Sequence, residues 1–412
     1  MSSVVPEGWE MVSLSQLDLD ISDGNYSSKY PTSDEFVKVG VPFLRANNIG
    51  SIKVNPKNIR FISNKKHTEL KKGHLKKSDI LISTRGEIGK VCVVQDAFID
   101  ANINAQLVRI NGGQKLNSFF LFHILRSDSS VKQLADLQTG TALKQLPVGN
   151  LLKLTIPFMP YREQKKIASI LTSVDEVIEN TQKQIDKLQD LKKATMNELL
   201  TKGIGHTEFK DSELGRIPKS WEVRAISEVV SIPNGQVDPK LEPYASMPHI
   251  GSGNIISWIG QIKGVQTAFE AGQISGKYLF SKNHILYSKV RPNLAKVCMP
   301  QFDGICSADV YPLIPKQKVS GKFVFQYLLT EKFTQIATEV SERTGMPKIN
   351  RQDLNVLKLP MPPFEEQSEI ARKIEAIDKA TSLKSIKLAQ TKSLKKSLMQ
   401  DLLTGKVRVA VN

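Results

Sequence analysis

Two stretches of this chain carry one pattern: PYREQKKIASILTSVD at residues 160–175 and PFEEQSEIARKIEAID at residues 363–378. Each opens on proline, places Glu-Gln three and four residues later, continues into Ile-Ala and ends on aspartate, at a fixed separation of 203 residues. At the same offset LKKATMNELLT (191–201) meets LKKSLMQDLLT (394–404), with seven of eleven positions identical. A register kept without a gap over more than forty residues marks one structural element used twice.

The periodicity identifies the element as a long helix. Ile167, Leu171, Val174, Ile178, Thr181, Ile185, Leu188, Lys192, Thr195 and Leu199 alternate steps of four and three, the seam of a coiled coil. The second copy runs Ile370, Ile374, Ile377, Thr381, Lys384, Leu388, Thr391, Lys395, Leu398 and Leu402. Prolines 157 and 160, and then 360, 362 and 363, precede the helices, while Gly203 and Gly405 follow as stops. At 1.5 Å per residue, about 39 residues give a rod of roughly 58 Å. Thr181, Lys192, Lys384 and Lys395 interrupt the apolar seam, which costs stability and can fix register and partner choice. Either each helix packs only on its own globular neighbour, or the two pair. Connectivity makes a pair antiparallel, because the first helix enters the region that the second leaves.

The intervening regions also correspond. VPEGWEMVSLSQL (5–17) matches IPKSWEVRAISEV (217–229), and SDILISTRGEIGKVC (78–92) matches HILYSKVRPNLAKVC (284–298) with one insertion. Each region opens on P-x-x-W-E, alternates strand-like runs with turns and closes on a short helix (SFFLFHIL, GKFVFQYLL) before a proline-bounded segment. Trp9 and Trp221 read as packing residues of the leading segment. The class is mixed α/β (α+β): a first globular domain at 1–160, a helix at 161–203, a second globular domain at 204–362, and a second helix with tail at 363–412. An antiparallel return makes the chain pseudo-circular and pseudo-twofold, with two similar globules at the ends of a stiff spacer.

A chain of 412 residues with 40% apolar composition can fold as a multidomain globular protein. No apolar run reaches the roughly 18–20 residues that cross a bilayer, and MSSVVPEGWEMVS lacks the basic and apolar regions of a secretory signal, so a cytoplasmic location with no membrane partner is expected. Cys92, Cys298 and Cys306 form no C-x-x-C pair and have no histidine at ligand spacing, so neither disulfides nor a bound metal is expected. A formal charge of +16 points to a polyanion, double-stranded DNA or RNA.

In these features the sequence resembles the specificity subunit of a type I DNA restriction–modification system, over essentially its whole length. The resemblance rests on the two proline-led EQ-x-x-IA helix starts, Glu163–Gln164 with Ile167–Ala168 and Glu366–Gln367 with Ile370–Ala371. The two LLT helix ends and GRIPKSWEV at 215–223 add to it. It implies two target-recognition domains, each reading one half of a split DNA sequence. It also implies a helical ruler that docks two modification (methyltransferase) subunits, with restriction subunits joining through the complex. S-adenosylmethionine, ATP and Mg would then belong to those partners and no cofactor to this chain.

Base reading needs Arg or Lys for guanine and Asn or Gln for adenine, carried on loops. The first globule offers Arg45, Asn47 and Asn48; Ser83, Thr84, Arg85 and Lys90, with Gly86 and Gly89 for a tight turn; and Thr139, Thr141, Lys144 and Gln145. The second offers Ser252 and Asn254; Ser288, Lys289, Arg291 and Asn293; and Thr344, Lys348, Asn350 and Arg351. For each residue a solvated turn or cap is the competing role. Lys65, Lys66, Lys71, Lys72, Lys76 and Lys77 suit phosphate attraction rather than base reading. No G-x-x-x-x-G-K-[ST], G-x-G-x-x-G, H-E-x-x-H or methyltransferase N/D-P-P-Y/F segment occurs, so a non-catalytic subunit is expected. A solitary sequence-specific or architectural DNA-binding protein is the alternative.

Overall fold

The structure, a computed structural model, describes residues 6–26, 30–341 and 347–410. Two compact units divide it: residues 1–183 with 386–412, and residues 184–385. Both mix helix and sheet.

The first unit holds two four-stranded sheets. One is antiparallel, in the spatial order Asp20–Asp23, Leu107–Asn111, Ile80–Ser83, Val91–Val93. The other runs Phe36–Val37, Arg60–Ile62, Val41–Leu44, Asn102–Ile103, with its last pair parallel. The second unit repeats the plan. Val230–Ser231, Val310–Pro315, Ile285–Ser288 and Val297–Cys298 form an antiparallel sheet, and Gln266–Thr267, Pro248–Ile250, Gly304–Ser307 and Lys277–Phe280 form one with a single parallel pair. Cys92 and Cys298 lie in corresponding strands, fully buried, and burial pushes both thiols up to about 12.

The leading P-x-x-W-E segments now have a role. Glu10–Ser13 pairs antiparallel with Thr155–Phe158, and Glu222–Ala225 with Lys358–Met361, so each unit clasps the chain just before it enters a long helix. The helices run unbroken over Tyr161–Lys202 and Phe364–Leu403. No helix among the described residues is long and apolar enough to cross a membrane.

The Glu-Gln motif closes each unit. Glu163 accepts hydrogen bonds from the Trp9 indole at 3.1 Å and from Arg408 at 2.8 Å, and Arg408 also donates to the Glu7 carbonyl at 2.9 Å. Glu366 accepts from the Trp221 indole at 3.0 Å and the Ile204 amide at 3.0 Å, with His206 Nε2 at 2.8 Å. Gln164 accepts from the Asn117 amide at 2.8 Å and donates to the Met159 carbonyl at 2.8 Å; Gln367 accepts from the Ser320 amide and donates to the Pro362 carbonyl, both at 2.8 Å. Gly203 and Gly405 have φ of +70° and +73°, and a Cβ would strike Trp221 at the first and Pro6 and Trp9 at the second. Glycine is the residue that satisfies both conditions.

Within each unit the start of one long helix lies against the end of the other. Ile167, Ala168 and Leu171 share the first core with Leu402 and Leu403; Ile370, Ala371 and Ile374 share the second with Met196 and Leu200. Ion pairs fix the direction: Asp175 meets Lys395 at 2.6 and 2.7 Å, and Lys192 meets Asp378 at 2.7 Å. As one number rises the other falls, so the segments are antiparallel in both units. The helices therefore pack on their globular neighbours and on each other. Ile167, Leu171, Ile185, Ile370, Ile374, Leu388 and Leu402 are buried, and Val174, Ile178, Leu188, Leu199, Ile377 and Leu398 half-buried, while Leu191, Leu383, Ile386 and Leu394 off the seam are exposed.

Seam lysines Lys192 and Lys395 are answered by aspartates that lie 203 residues apart, as these lysines do. Their surroundings differ. Lys395 and Asp175 are 10% and 7% exposed in their side chains, and Lys192 and Asp378 18% and 40%. Desolvation lowers the Lys395 pKa, Arg126 adds to it, and Asp175 opposes both. Buried His123, 3.8 Å from Asp175, is pushed down to about 3 and stays neutral. Asp175→Asn strands a buried lysine and is expected to cost the first unit about 3 kcal/mol, whereas Asp378→Asn costs under about 1 kcal/mol. Urea titration read by hydrogen exchange in each unit measures the difference; equal losses would show the two pairs to be energetically alike.

Candidate nucleic-acid interface

In the first unit, strand Val41–Leu44 runs into a 3-10 turn at Ala46–Asn48. Strand Ile80–Ser83 ends in a tight turn: Gly89 donates to the Ser83 carbonyl and Ser83 to the Lys90 carbonyl, each at 2.9 Å. Gly86 and Gly89 stand at φ of +74° and +87°, so the expected tight turn is present and needs both. A third loop is stitched to the second, with Thr139 and Gln145 exchanging amide bonds at 2.9 Å and Leu146 donating to the Thr84 carbonyl at 2.9 Å.

The first two loops line a cleft of about 320 Å³ holding Arg45, Asn47, Arg85 and Lys90 with Gln106. Asn47, Lys90, Thr139, Thr141, Lys144 and Gln145 are exposed, and Arg45 and Arg85 half-buried. Lys90 is paired with Glu87, and Arg45 donates to the Asn58 carbonyl at 3.2 Å. Arg85 lies 5.0 Å from the centre of the Tyr26 ring and has no ion pair among the described residues.

Strand Ile285–Ser288 of the second unit occupies the same place in its sheet as Ile80–Ser83. Its following loop is tied to a distant segment: Arg291 donates to the Pro347 carbonyl at 2.8 Å and Ile349 to the Lys289 carbonyl at 2.9 Å. Lys348 and Lys289 both approach Asp309, at 2.9 and 3.6 Å. The Lys348 hydrogen bond holds Asp309 below the usual carboxylate range, and burial draws the Lys289 ammonium down. Arg291 is exposed with no ion pair among the described residues, next to exposed Asn293 and Lys348. Arg351 is turned inward onto Asn234 and the Pro233 carbonyl.

Several candidates prove to be loop braces. Asn48 accepts from the Arg45 amide at 3.0 Å and donates to the Asn55 and Lys57 carbonyls at 3.3 and 3.0 Å. Asn254 repeats this with the Gly251 amide at 2.9 Å and the Lys263 and Gly264 carbonyls at 3.1 and 2.9 Å. Both amides are fully occupied by main chain and have no pattern left for a base. Ser83, Thr84 and Ser288 are buried, bonded to the Glu87 carbonyl, the Gln106 carbonyl and the Ser252 hydroxyl. Asn350 caps the helix Arg351–Val356. These six and Arg351 have internal partners for their polar atoms, the turn-or-cap role that competes with base contact; Thr344 lies outside the described residues. Three of the lysine-run members, Lys66, Lys72 and Lys76, are paired with Glu35, Asp23 and Asp20. Tyr26 and Gln106 were not singled out from sequence, since no local spacing connects them to Arg85.

The family model described as the type I restriction modification DNA specificity domain matches residues 6–190 and 218–392. The EcoDI type I restriction enzyme specificity subunit of Escherichia coli is 30% identical over 281 residues, 63% of this chain and 62% of that protein. The putative MjaX type I restriction enzyme specificity subunit of Methanocaldococcus jannaschii is 30% identical over 434 aligned positions, 98% of this chain and 95% of that protein. The type I restriction–modification S subunit from M. genitalium shares the fold with a TM-score of 0.63 at 15% identity, covering 98% of this chain and 97% of that one.

Neighbouring asparagines make the sorting testable. Asn48→Ala frees buried carbonyls and is expected to lower stability by about 1–2 kcal/mol, while Asn47→Ala leaves thermal unfolding unchanged. A reversed order would place the brace at the wrong residue.

Proposed function

The chain belongs to the type I restriction–modification DNA specificity family, and from that premise we propose that it selects the DNA target for enzymatic partners and performs no chemistry itself. Each unit reads one half of a bipartite duplex sequence. The observation that supports this best is the repeated constellation: one sheet plan, built twice, presents an exposed or half-buried arginine after the same strand, Arg85 after Ile80–Ser83 and Arg291 after Ile285–Ser288. Two equivalent readers in one chain suit a duplex, whose backbone has local pseudo-twofold symmetry.

The chemistry follows from the side chains left free. An arginine fork can bond guanine O6 and N7 together, and Asn47 and Gln145 carry the donor–acceptor pair that fits adenine. Lys144 suits phosphate, giving affinity and orientation without discrimination. Asn48, Asn254, Ser83 and Ser288 hold these loops in shape, so the reading groups are ordered before DNA arrives.

The long helices pass from one unit's residues into the other's, which supports a role in setting the gap between half-sites and in docking two modification subunits. S-adenosylmethionine would then be carried by the modification subunits, and ATP with Mg by restriction subunits. The working compartment is the cytoplasm, where the DNA is.

Co-expression with a cognate modification subunit, followed by sequencing of methylated adenines, tests the reading. A split target is expected. Arg85→Ala should relax one half only and Arg291→Ala the other, with a loss of about 1–3 kcal/mol, roughly 5- to 150-fold, at the affected position. One heptad added to both helices should lengthen the gap and leave both half-sites unchanged. Tight, specific binding by the chain alone with no associating partner would favour a solitary DNA-binding protein instead.

A further inference from the structure

The short helix Asn64–Glu69 ends beside a cluster that the loops described above do not use. His67 Nε2 lies 3.2 Å from Asp100 Oδ2, and His74 Nδ1 lies 3.1 Å from Asp100 Oδ1. One donor atom from each of the three residues falls within 4.8 Å of the others. Main chain holds the frame: Leu75 donates to the Ala101 carbonyl at 2.9 Å, Asp100 to the Leu75 carbonyl at 2.7 Å and Ile103 to the Gly73 carbonyl at 3.1 Å.

The far nitrogens of the two rings decide what the near ones can do. His74 Nε2 is 2.5 Å from the Leu70 carbonyl. A main-chain carbonyl only accepts, so Nε2 carries the hydrogen and the neutral ring turns the Nδ1 lone pair toward Asp100. His67 Nδ1 faces buried Asn102 Oδ1 at 2.6 Å; with Nδ1 donating there, the Nε2 lone pair points toward the same carboxylate. Two lone pairs aimed at an anion repel it unless a cation lies among the three groups. Both imidazoles could take a proton each, or all three groups could share one metal ion.

We propose that His67, His74 and Asp100 bind a divalent transition-metal ion of the zinc type. Two imidazole nitrogens and a carboxylate oxygen suit borderline ions such as Zn²⁺ rather than Mg²⁺ or Ca²⁺, and the Leu70 carbonyl and Asn102 amide stand where outer-shell acceptors fix the tautomers of metal-bound histidines. Ligand bonds of about 2.0–2.2 Å in a tetrahedral site set neighbouring donor atoms roughly 3.4 Å apart, close to the His–Asp separations here, and leave a fourth position for water. The ion ties the short helix, the turn at Gly73 and the strand Asn102–Ile103 together. The thiols take no part, since Cys92, Cys298 and Cys306 are buried.

The test uses the full chain, stripped with chelator at pH 7.5 and confirmed folded by circular dichroism, with Zn²⁺ and Co²⁺ as probes. One equivalent of Zn²⁺ is expected, with a rise in Tm of about 5 °C at a hundredfold excess over Kd. Co²⁺ should give visible d–d bands without a sulfur charge-transfer band. Asp100→Asn, at a side chain 69% exposed and so compatible with folding, and His74→Asn should each weaken Zn²⁺ at least tenfold while the apo chain remains folded. The proposal is overturned if the stripped, folded chain takes up no Zn²⁺, which leaves a proton-filled cluster, or if uptake is unchanged in both variants. Methylation specificity does not enter these readouts, so failure here leaves the DNA-recognition reading standing.

Discussion

One carboxylate per unit carries the architecture. Glu163 and Glu366 sit in the first turn of the long helices, where a negative charge also suits the helix N-terminus, and each gathers a tryptophan indole from the leading segment and a polar group from the stretch that follows the other helix. Three distant parts of the sequence meet at one acid, buried at Glu163 and half-buried at Glu366. The neighbouring glutamine fastens the same helix start to the short helix that precedes it. Without these bonds the helices would have amphipathic faces but no fixed point of departure.

The duplication is strict in plan and loose in environment. Both Asp–Lys pairs close the helix seam at equivalent positions, yet one is buried beside His123 and Arg126 and the other lies near water. The closing group on the glutamate is Arg408 in one unit and His206 in the other. Equivalent backbones therefore do not imply equivalent energies, because the stability of an ion pair depends on how much water its partners have lost.

The loops show a different division. Residues that brace them, Asn48 with Asn254 and Ser83 with Ser288, recur in both units and bond main chain or each other's neighbours. The exposed residues beside them, such as Asn47 and Arg291, have no such counterpart bonds. A frame that satisfies its own polar groups leaves adjacent positions free of internal partners.

The amino-acid sequence alone determined the two long helices, the direction in which they run if paired, the repeated globular plan and the glycines as stops and tight-turn residues, because hydrophobic period and repeat offset can be read directly along the chain. Tertiary structure decided which loop side chains are free: Asn47 and Asn48 are chemically identical neighbours, and the position of the Asn55 and Lys57 carbonyls engages Asn48 while Asn47 stays exposed. It likewise turned Lys395 from a blemish in a seam into half of a buried pair, and brought His67, His74 and Asp100 together. The physical reason is common to all three. A polar side chain's role is set by the partners that reach it across sheets and helices, and those partners lie far away in the chain.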